Sequence, residues 1–446
     1  LPITDRAREI MAAAGLGDAL FAEVDPNPNE INLAEGVAAY QAGGHDGVIA
    51  FGGGSGLDLG KMVAFMAGQT RPVWDFEDIG DWWTRADADA IAPIIAVPTT
   101  AGTGSEVGRA SVITNSQTHV KKIIFHPKVL PSIVIADPEL TVDMPKFITA
   151  GTGLDAFAHC VEAYSSPHYH PMSQGIALEG MRLVTTYLPR AYATPDDLEA
   201  RAHMMSAAAM GAVAFQKGLG VTHSCAHALS AVCDLHHGTA IALMLPACMR
   251  FSAAVLPDRM KRLEAAVDTE HAFDVWLNNF NEALGLPARL SDVGVKDEHI
   301  TPLVEIAIKD VCHSCNVREV SRDDFQRLFR SPDRGRARRR RRPRRAARPR
   351  HPAAPPARRR PRPPPDARGG LGRPQRGQLG RRPAVRRRRR VLHGDVRVVE
   401  AVGERHERRD RLGVAALREL LHQGKADSRA LHFTRSGVVE LMKELK

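Results

Sequence analysis

Short apolar runs, each closed by a turn rich in glycine, threonine or proline, mark the first third of the chain. Residues 47–51 (GVIAF), 94–97 (IIAV) and 132–136 (SIVIA) are rich in β-branched residues and predict buried strands. Helical segments alternate with these runs, as in a parallel sheet with crossover helices. We therefore predict an α/β domain over residues 1–145.

The pattern changes after residue 145. Stretches rich in Ala, Leu and Met with a helical period, such as 202–215 and 259–267, replace the strand signals up to residue 330. These residues predict a second, all-helical domain over 146–330.

The tail, residues 331–446, matches neither pattern. Residues 331–390 contain 25 arginines and no Lys, Phe, Trp, Tyr, Ile or Met, and most of the rest is Pro, Ala and Gly. Such a composition cannot bury enough apolar surface to fold. The absence of lysine favours read-through or out-of-frame sequence over a disordered linker or a phosphate-binding arm. Residues 411–446, including LGVAALRELLHQ, are a candidate for an amphipathic helix.

The net charge of +10 comes from this tail. Residues 331–446 carry 36 Lys+Arg against 11 Asp+Glu, whereas residues 1–330 carry 25 against 40. The folded part is therefore acidic, and we expect no nucleic-acid partner for it. No apolar run approaches the roughly 18 residues of a membrane helix, and the first residues do not resemble a signal peptide. We expect a cytoplasmic protein without membrane contact.

Six cysteines are too few for a disulfide scaffold and fit a reducing compartment. Cys312 and Cys315 form a lone C-x-x-C pair. A closed zinc site needs four ligands, so packing within a helix is the favoured interpretation.

Two turns carry the signature of a nucleotide site. Residues 52–61 (GGGSGLDLGK) follow a predicted strand and open a predicted helix, where backbone amides can approach a pyrophosphate. Residues 98–106 (PTTAGTGSE) follow the next strand and offer hydroxyl groups. Two such turns at the carboxyl ends of strands predict a dinucleotide crevice in a Rossmann-like domain.

A histidine cluster forms the second candidate site. Asp155 and His159 lie one helical turn apart, as do His223 and His227, and His236 and His237 follow the second helix. One carboxylate with several imidazoles suits Zn²⁺ or Fe²⁺ better than Mg²⁺. The spacing does not decide which four of these six side chains are ligands.

A metal beside a dinucleotide crevice indicates alcohol oxidation. The metal can lower the pKa of an alcohol, and hydride can pass to a nicotinamide ring. A histidine near the metal but not bound to it can carry the proton to solvent.

The motifs PNP (26–28), GGGSGLDLGK, PTTAGTGSE, AGTGLDAFAH (150–159) and GVTHSCAHAL with HHG (236–238) closely resemble the iron-containing (group III) alcohol dehydrogenase family. The resemblance covers nearly all of residues 1–330. It implies a dinucleotide domain, a helical domain and a metal, Fe²⁺ or alternatively Zn²⁺, between them. It also implies NAD or NADP, a small primary alcohol or aldehyde as substrate, and a homo-oligomer.

The resemblance assigns individual residues. The metal ligands it implies are Asp155, His159, His223 and His237, with His227 as the proton relay and His236 as a neighbour without a ligand role. The dinucleotide residues it implies are Asn27, Gly53, Gly54, Ser55, Asp58, Thr99, Thr100, Thr103 and Lys121, although Lys122 could replace Lys121.

The family begins with a further strand and helix, so we expect an N-terminally truncated sheet. The sequence therefore does not distinguish NAD from NADP as the coenzyme. Glycerol dehydrogenases and dehydroquinate synthases share the broad fold, but they use a different ligand set. A nucleic-acid-binding protein acting through the tail is the alternative from another functional class.

Overall fold

A parallel sheet forms the centre of the N-terminal part of the chain. The computed structural model describes residues 2–16, 19–334 and 398–400. The strands in these ranges are β1 (Val48–Gly52), β2 (Ile94–Pro98), β3 (Ala110–Thr114), β4 (Lys121–Phe125), β5 (Ile133–Ala136) and β6 (Val398–Glu400). The order β1-β2-β5-β6 forms the parallel sheet, and β3 pairs with β4 in antiparallel fashion.

The three strands predicted from apolar runs correspond to β1, β2 and β5, which confirms the predicted parallel α/β fold. The sequence does not predict β3 and β4. The residues of β3 alternate in burial, whereas those of β4 are mostly half-buried and begin with two lysines, so neither strand is a continuous apolar run.

Twelve α-helices lie within the described residues. They are α1 (Pro2–Ala13), α2 (Glu30–Gly43), α3 (Gly54–Met66), α4 (Lys146–Ser165), α5 (Pro171–Ala193), α6 (Leu198–Ala214), α7 (Val221–Cys233), α8 (His237–Ala253), α9 (Pro257–Ala266), α10 (Phe273–Ala283), α11 (Ile300–Ala307) and α12 (Arg322–Arg334). No helix among these residues is long and apolar enough to span a bilayer.

Helices cover both faces of the sheet. On β2, Ile94 and Ala96 pack with Leu57 of α3, whereas Ile95 and Val97 pack with Ile10 of α1. All five β2 residues are buried, as expected for a central parallel strand.

The helical part is organised around α4, whose residues are buried from Thr149 to Ser165 with little interruption. It packs against α5, α6 and α8. Because Asp155, His159 and Glu162 are buried on this otherwise apolar helix, each of them needs a specific polar or charged partner.

Most of the tail lies outside the described residues, including the predicted disordered segment and the predicted amphipathic helix. Helix α12 continues past residue 330 to Arg334. The backbone of Val398–Glu400 pairs with Val134–Ala136 of β5. This strand follows the arginine-rich segment and contains two β-branched valines, which favour extended structure.

Candidate active site

The two predicted nucleotide turns lie side by side at the carboxyl ends of β1 and β2. The amide of Thr99 donates to the Gly52 carbonyl at 2.9 Å. A Cβ atom on Gly54 would lie 2.5 Å from Thr103 Cγ2, and one on Gly53 would lie 3.1 Å from Thr100 Cγ2. Glycine at 54 is therefore required for the turns to meet, and they form one continuous surface.

The N-terminus of α3 opens onto this surface. Its N-cap, Gly53, has no side chain with which to cap the helix, so the first backbone amides remain available to an anion. Ser55 Oγ donates to the Pro26 carbonyl at 2.7 Å. This bond holds the segment that contains Asn27 against the glycine turn.

Asp58 has a bracing role within the protein. Its carboxylate accepts hydrogen bonds from Ser105 Oγ at 2.5 Å and from the Val112 amide at 2.9 Å. The Lys61 ammonium lies 3.5 Å from Asp58 and donates to the carbonyls of Ser105 and Ala110. Helix α3 is thereby tied to the second nucleotide turn.

Lys121 and Lys122 occupy opposite faces of β4. Lys122 Nζ lies 2.6 Å from Glu77 and near the Trp74 ring. Burial lowers the pKa of Lys121, and the charge of Asp155 acts against this shift. The charge of Lys121 therefore interacts with that of Asp155 in the histidine cluster.

Three of the four predicted ligands converge around one oxygen atom of the fourth, Asp155. Asp155 Oδ1 lies 3.5 Å from His159 Nε2, 3.5 Å from His223 Nε2 and 3.3 Å from His237 Nε2. Asp155 and His159 come from α4, His223 comes from the first turn of α7, and His237 is the first residue of α8.

Asp155, His159 and His223 place their donor atoms close enough together to hold a metal ion, and His237 Nε2 adds a donor beside Asp155. Ligand atoms about 2.1 Å from a tetrahedral Zn²⁺ or similar ion lie about 3.5 Å from one another. Asp155 Oδ1 and His223 Nε2 are buried and have no hydrogen-bond partner among the described residues. An ion would supply the missing partner to both atoms at once.

The electrostatics keep Asp155 ionised and two of the three histidines neutral. Burial lowers the pKa of His159 to about 4 and that of His237 to about 3, so both rings are neutral at physiological pH. Burial acts in the same direction on His223, but Asp155 and Glu162 outweigh it and raise its pKa to about 10. The pKa of Asp155 is well below its ordinary value because neighbouring histidines overcome the effect of burial.

Glu162 is a site residue that the sequence analysis missed. Its Oε2 accepts from His223 Nδ1 at 2.6 Å and from the Gly220 amide at 3.0 Å, and its Oε1 accepts from the Thr222 amide at 2.7 Å. The helical spacing could have identified it, because Glu162 lies three residues after His159 and seven after Asp155, on the same helix face.

His227 pairs with Asp310 instead of Asp155. His227 Nδ1 lies 2.7 Å from Asp310 Oδ2, and its ring stacks on that of His237 with 5.3 Å between centroids. Asp310 also accepts from Ser224 Oγ at 2.7 Å and from the Cys312 amide at 2.9 Å. No local pattern marks Asp310, which is distant from His227 in sequence.

The remaining candidates have other surroundings. His236 is the N-cap of α8, and its ring lies against Phe147 and next to Gly151. Cys312, His227 and Asp310 form a group of three possible metal ligands, but the described residues contain no four-ligand cysteine site. The six cysteines are unpaired.

The nucleotide surface and the histidine cluster adjoin each other. A Cβ atom on Gly102, in the second turn, would lie 2.8 Å from the Cβ of Thr152 on α4. Phe215 closes another side, since its ring centroid lies 4.8 Å from that of His159.

Two related family models match this chain. Residues 1–138 match the family model described as iron-containing alcohol dehydrogenase, and residues 149–332 match the C-terminal model of the Fe-containing alcohol dehydrogenase family. A 4-hydroxybutyrate dehydrogenase of Cupriavidus necator is 39% identical over 334 residues, which span 72% of this chain and 87% of that protein.

An NAD-dependent methanol dehydrogenase of Bacillus methanolicus is 32% identical over 74% of this chain and 88% of its own length. The crystal structure of a 1,3-propanediol oxidoreductase superposes with a TM-score of 0.68 at 32% identity, over 72% of this chain and 86% of that one. The matches cover both the nucleotide surface and the histidine cluster. The chain therefore belongs to the iron-containing alcohol dehydrogenase family.

Proposed function

We propose that this chain interconverts small primary alcohols and aldehydes by metal-dependent, NAD(P)-linked hydride transfer. One observation carries the proposal, namely the convergence of three imidazole Nε2 atoms on Asp155 Oδ1. Asp155 lies on α4, the helix against which Gly102 of the second nucleotide turn packs. Membership of an alcohol oxidoreductase family supports the same chemistry.

Asp155, His159, His223 and His237 would hold the metal, with Fe²⁺ as the proposed ion and Zn²⁺ as the alternative. Imidazole with a single carboxylate suits both ions. When bound, the metal would supply Lewis acidity to the alcohol or carbonyl oxygen, and the nicotinamide would supply or accept hydride.

The dinucleotide would lie on the surface formed by the two turns. Gly53 and Gly54 leave room for the pyrophosphate at the N-terminus of α3, where backbone amides and the helix dipole favour an anion. Thr99, Thr100, Thr103, Ser55 and Asn27 would offer polar groups around it. Asp58 would contribute by holding Ser105, and Lys121 would provide a positive charge between the nucleotide and Asp155.

His227 would move the alcohol proton. With Nδ1–H donated to Asp310, Nε2 keeps its lone pair and can accept a proton. The side chain of His227 is 15% exposed, so this proton has a route to solvent. In the reverse reaction, the same ring would return a proton to the carbonyl oxygen.

Small primary alcohols are the proposed substrate class. The similar proteins are named for 4-hydroxybutyrate, methanol and 1,3-propanediol, which share a primary hydroxyl group on a short chain. Phe215 beside His159 would restrict the room available to the carbon chain. NAD is the coenzyme in the name of one relative, and NADP remains the alternative.

The test uses the full-length protein loaded with Fe²⁺ or Zn²⁺. Metal content and NADH or NADPH formation are measured on a panel of short primary alcohols, for the wild type and for His223→Ala. The variant should lose both the metal and the activity, because one of four ligands is removed. Retention of metal with unchanged oxidation would refute the assignment of the site.

His271→Ala provides the matched control. His271 is an exposed histidine in the same domain, away from Asp155 and its partners. Its replacement should alter neither metal content nor activity.

A further inference from the structure

We infer that Glu162 is a positioning residue, which holds the His223 ring so that Nε2 points to Asp155. This inference rests on the proposed function, because that proposal makes His223 a metal ligand. Glu162 lies outside the ligand set and joins α4 to a ligand carried by another helix.

The hydrogen bond between the two side chains determines the orientation of the ring. His223 Nδ1 lies 2.6 Å from Glu162 Oε2, and a carboxylate can only accept, so Nδ1 carries the hydrogen. In the neutral imidazole, Nε2 is then left with the lone pair that a metal needs. Histidines that bind metals commonly donate their other N–H to a carboxylate, which fixes the ring and raises ligand basicity.

The same carboxylate caps the helix that carries His223. Glu162 accepts from the amides of Gly220 and Thr222 at the N-terminus of α7, where Gly220 offers no side-chain cap. A Cβ atom at 220 would lie 2.8 Å from Glu162 Oε1, so the glycine is needed for this approach. One buried side chain therefore sets both the position of α7 and the rotation of its ligand ring.

The arrangement makes α4 the reference element of the site. Asp155, His159 and Glu162 lie on one face of that helix. Two would bind the ion directly, and the third would align the ligand from α7. Loss of the Glu162 carboxylate should therefore weaken metal binding although no ligand is removed.

Glu162→Gln tests this with little change of shape. A carboxamide has one acceptor oxygen, whereas Glu162 receives three N–H groups through two oxygens. If the amide nitrogen faces His223, it favours the tautomer with hydrogen on Nε2, which cannot bind a metal. If the oxygen faces His223, the Thr222 amide loses its acceptor and the ligand loses its charged partner.

We expect about 10- to 100-fold weaker metal binding in Glu162→Gln, the range known for loss of such outer partners. The dissociation constants of Zn²⁺ and Co²⁺ are measured on the full chain by competition with a chelator. The visible spectrum of the Co²⁺ protein provides a second readout, because it reports ligand geometry independently of turnover.

Lys217→Met is the matched control for general loss of helix stability. Lys217 Nζ donates to the carbonyls of Ala163 and Ser166 at 2.7 and 2.5 Å, at the C-terminal end of α4, and no contact joins it to His223. This variant should have a lower Tm and an unchanged metal dissociation constant. If both variants weaken metal binding equally at equal loss of Tm, Glu162 has only a structural role and the inference is wrong.

The outcomes also separate this inference from the proposed function. If His223→Ala loses the metal but Glu162→Gln binds it like the wild type, the positioning role is refuted and the metal site stands. If His223→Ala retains the metal, the proposed site itself is wrong.

Discussion

The carboxylate of Asp310 connects His227 to the backbone through its two oxygens. Oδ2 lies 2.7 Å from His227 Nδ1, while Oδ1 accepts from Ser224 Oγ and from the amide of Cys312. Burial raises the pKa of Asp310, but the nearby His227 has the larger effect, so the pKa lies below its ordinary value. His227 is therefore held in the tautomer that a proton acceptor at Nε2 requires.

Asp310→Asn should reduce turnover without releasing the metal. Because the Cys312 amide can only donate, the carboxamide oxygen must face it, and the NH₂ group then faces His227 Nδ1. This places the imidazole hydrogen on Nε2, where it blocks proton acceptance. We expect kcat to fall about 100-fold, within the range of general acid–base effects, with an altered pH–rate profile and unchanged metal content.

Asp274→Asn is a control for this change. Asp274 forms an ion pair with Arg250 at 2.7 Å on the surface and should leave the pH–rate profile as it is. An Asp310→Asn enzyme with wild-type kcat at every pH would contradict the orienting role.

The candidate site residues that sequence alone can group together are those that are neighbours on a helix. Asp155 with His159, and His223 with His227, follow the i,i+4 spacing that places side chains on one face. The same periodicity extends to Glu162, so this residue could have been identified. Asp310 could not, because only tertiary packing brings it to His227.

The strands also divide into those that the sequence predicts and those that it misses. Apolar runs reveal β1, β2 and β5, since a central parallel strand is buried on both faces. The β3–β4 pair is half-exposed, and its lysines conceal it from a search for apolar runs. For the same reason, the sequence leaves Lys121 and Lys122 as alternatives, and the structure shows that Lys122 pairs with Glu77.

Lys61→Met should weaken nucleotide binding and the fold together. Lys61 is fully buried, and its ammonium group joins α3 to Ser105 and Ala110. The replacement leaves the Asp58 carboxylate without its cation, and breaking a buried pair costs about 3–5 kcal/mol. Urea unfolding should show this loss, and the NADH dissociation constant should rise while metal affinity is retained.

The exposed Lys128 gives a comparison for that variant. Lys128 forms a surface ion pair with Asp89 at 2.9 Å, for which a loss below about 1 kcal/mol is expected on substitution by Met. Equal losses in the two variants would show that Lys61 is not a buried brace.

Glu106→Gln should flatten the dependence of stability on pH. Burial raises the pKa of Glu106 from 4.5 to about 7, although Lys61 opposes the shift. Between these values the folded protein keeps a proton that the unfolded chain releases, so the free energy of unfolding falls as pH rises. The wild type should lose about 3 kcal/mol from this group across the window, and the glutamine variant should not.

Urea titrations at several pH values across that window measure the effect. Glu9→Gln, which removes an exposed partner of Arg6, serves as the reference. If Glu106→Gln keeps the slope of the wild type, Glu106 is ionised in the folded protein throughout this range.

Phe215→Ala should extend the range of alcohols that the enzyme oxidises. The ring centroid of Phe215 lies 4.8 Å from that of His159, so removal of the ring opens space next to a proposed ligand. One added methylene in an apolar pocket changes transition-state binding by about 1–3 kcal/mol. The ratio of kcat/KM for 1-hexanol to that for ethanol should therefore rise at least about tenfold. Val213→Ala, two residues earlier and 42% exposed, should keep the wild-type ratio, and an unchanged ratio in Phe215→Ala would mean that the carbon chain lies elsewhere.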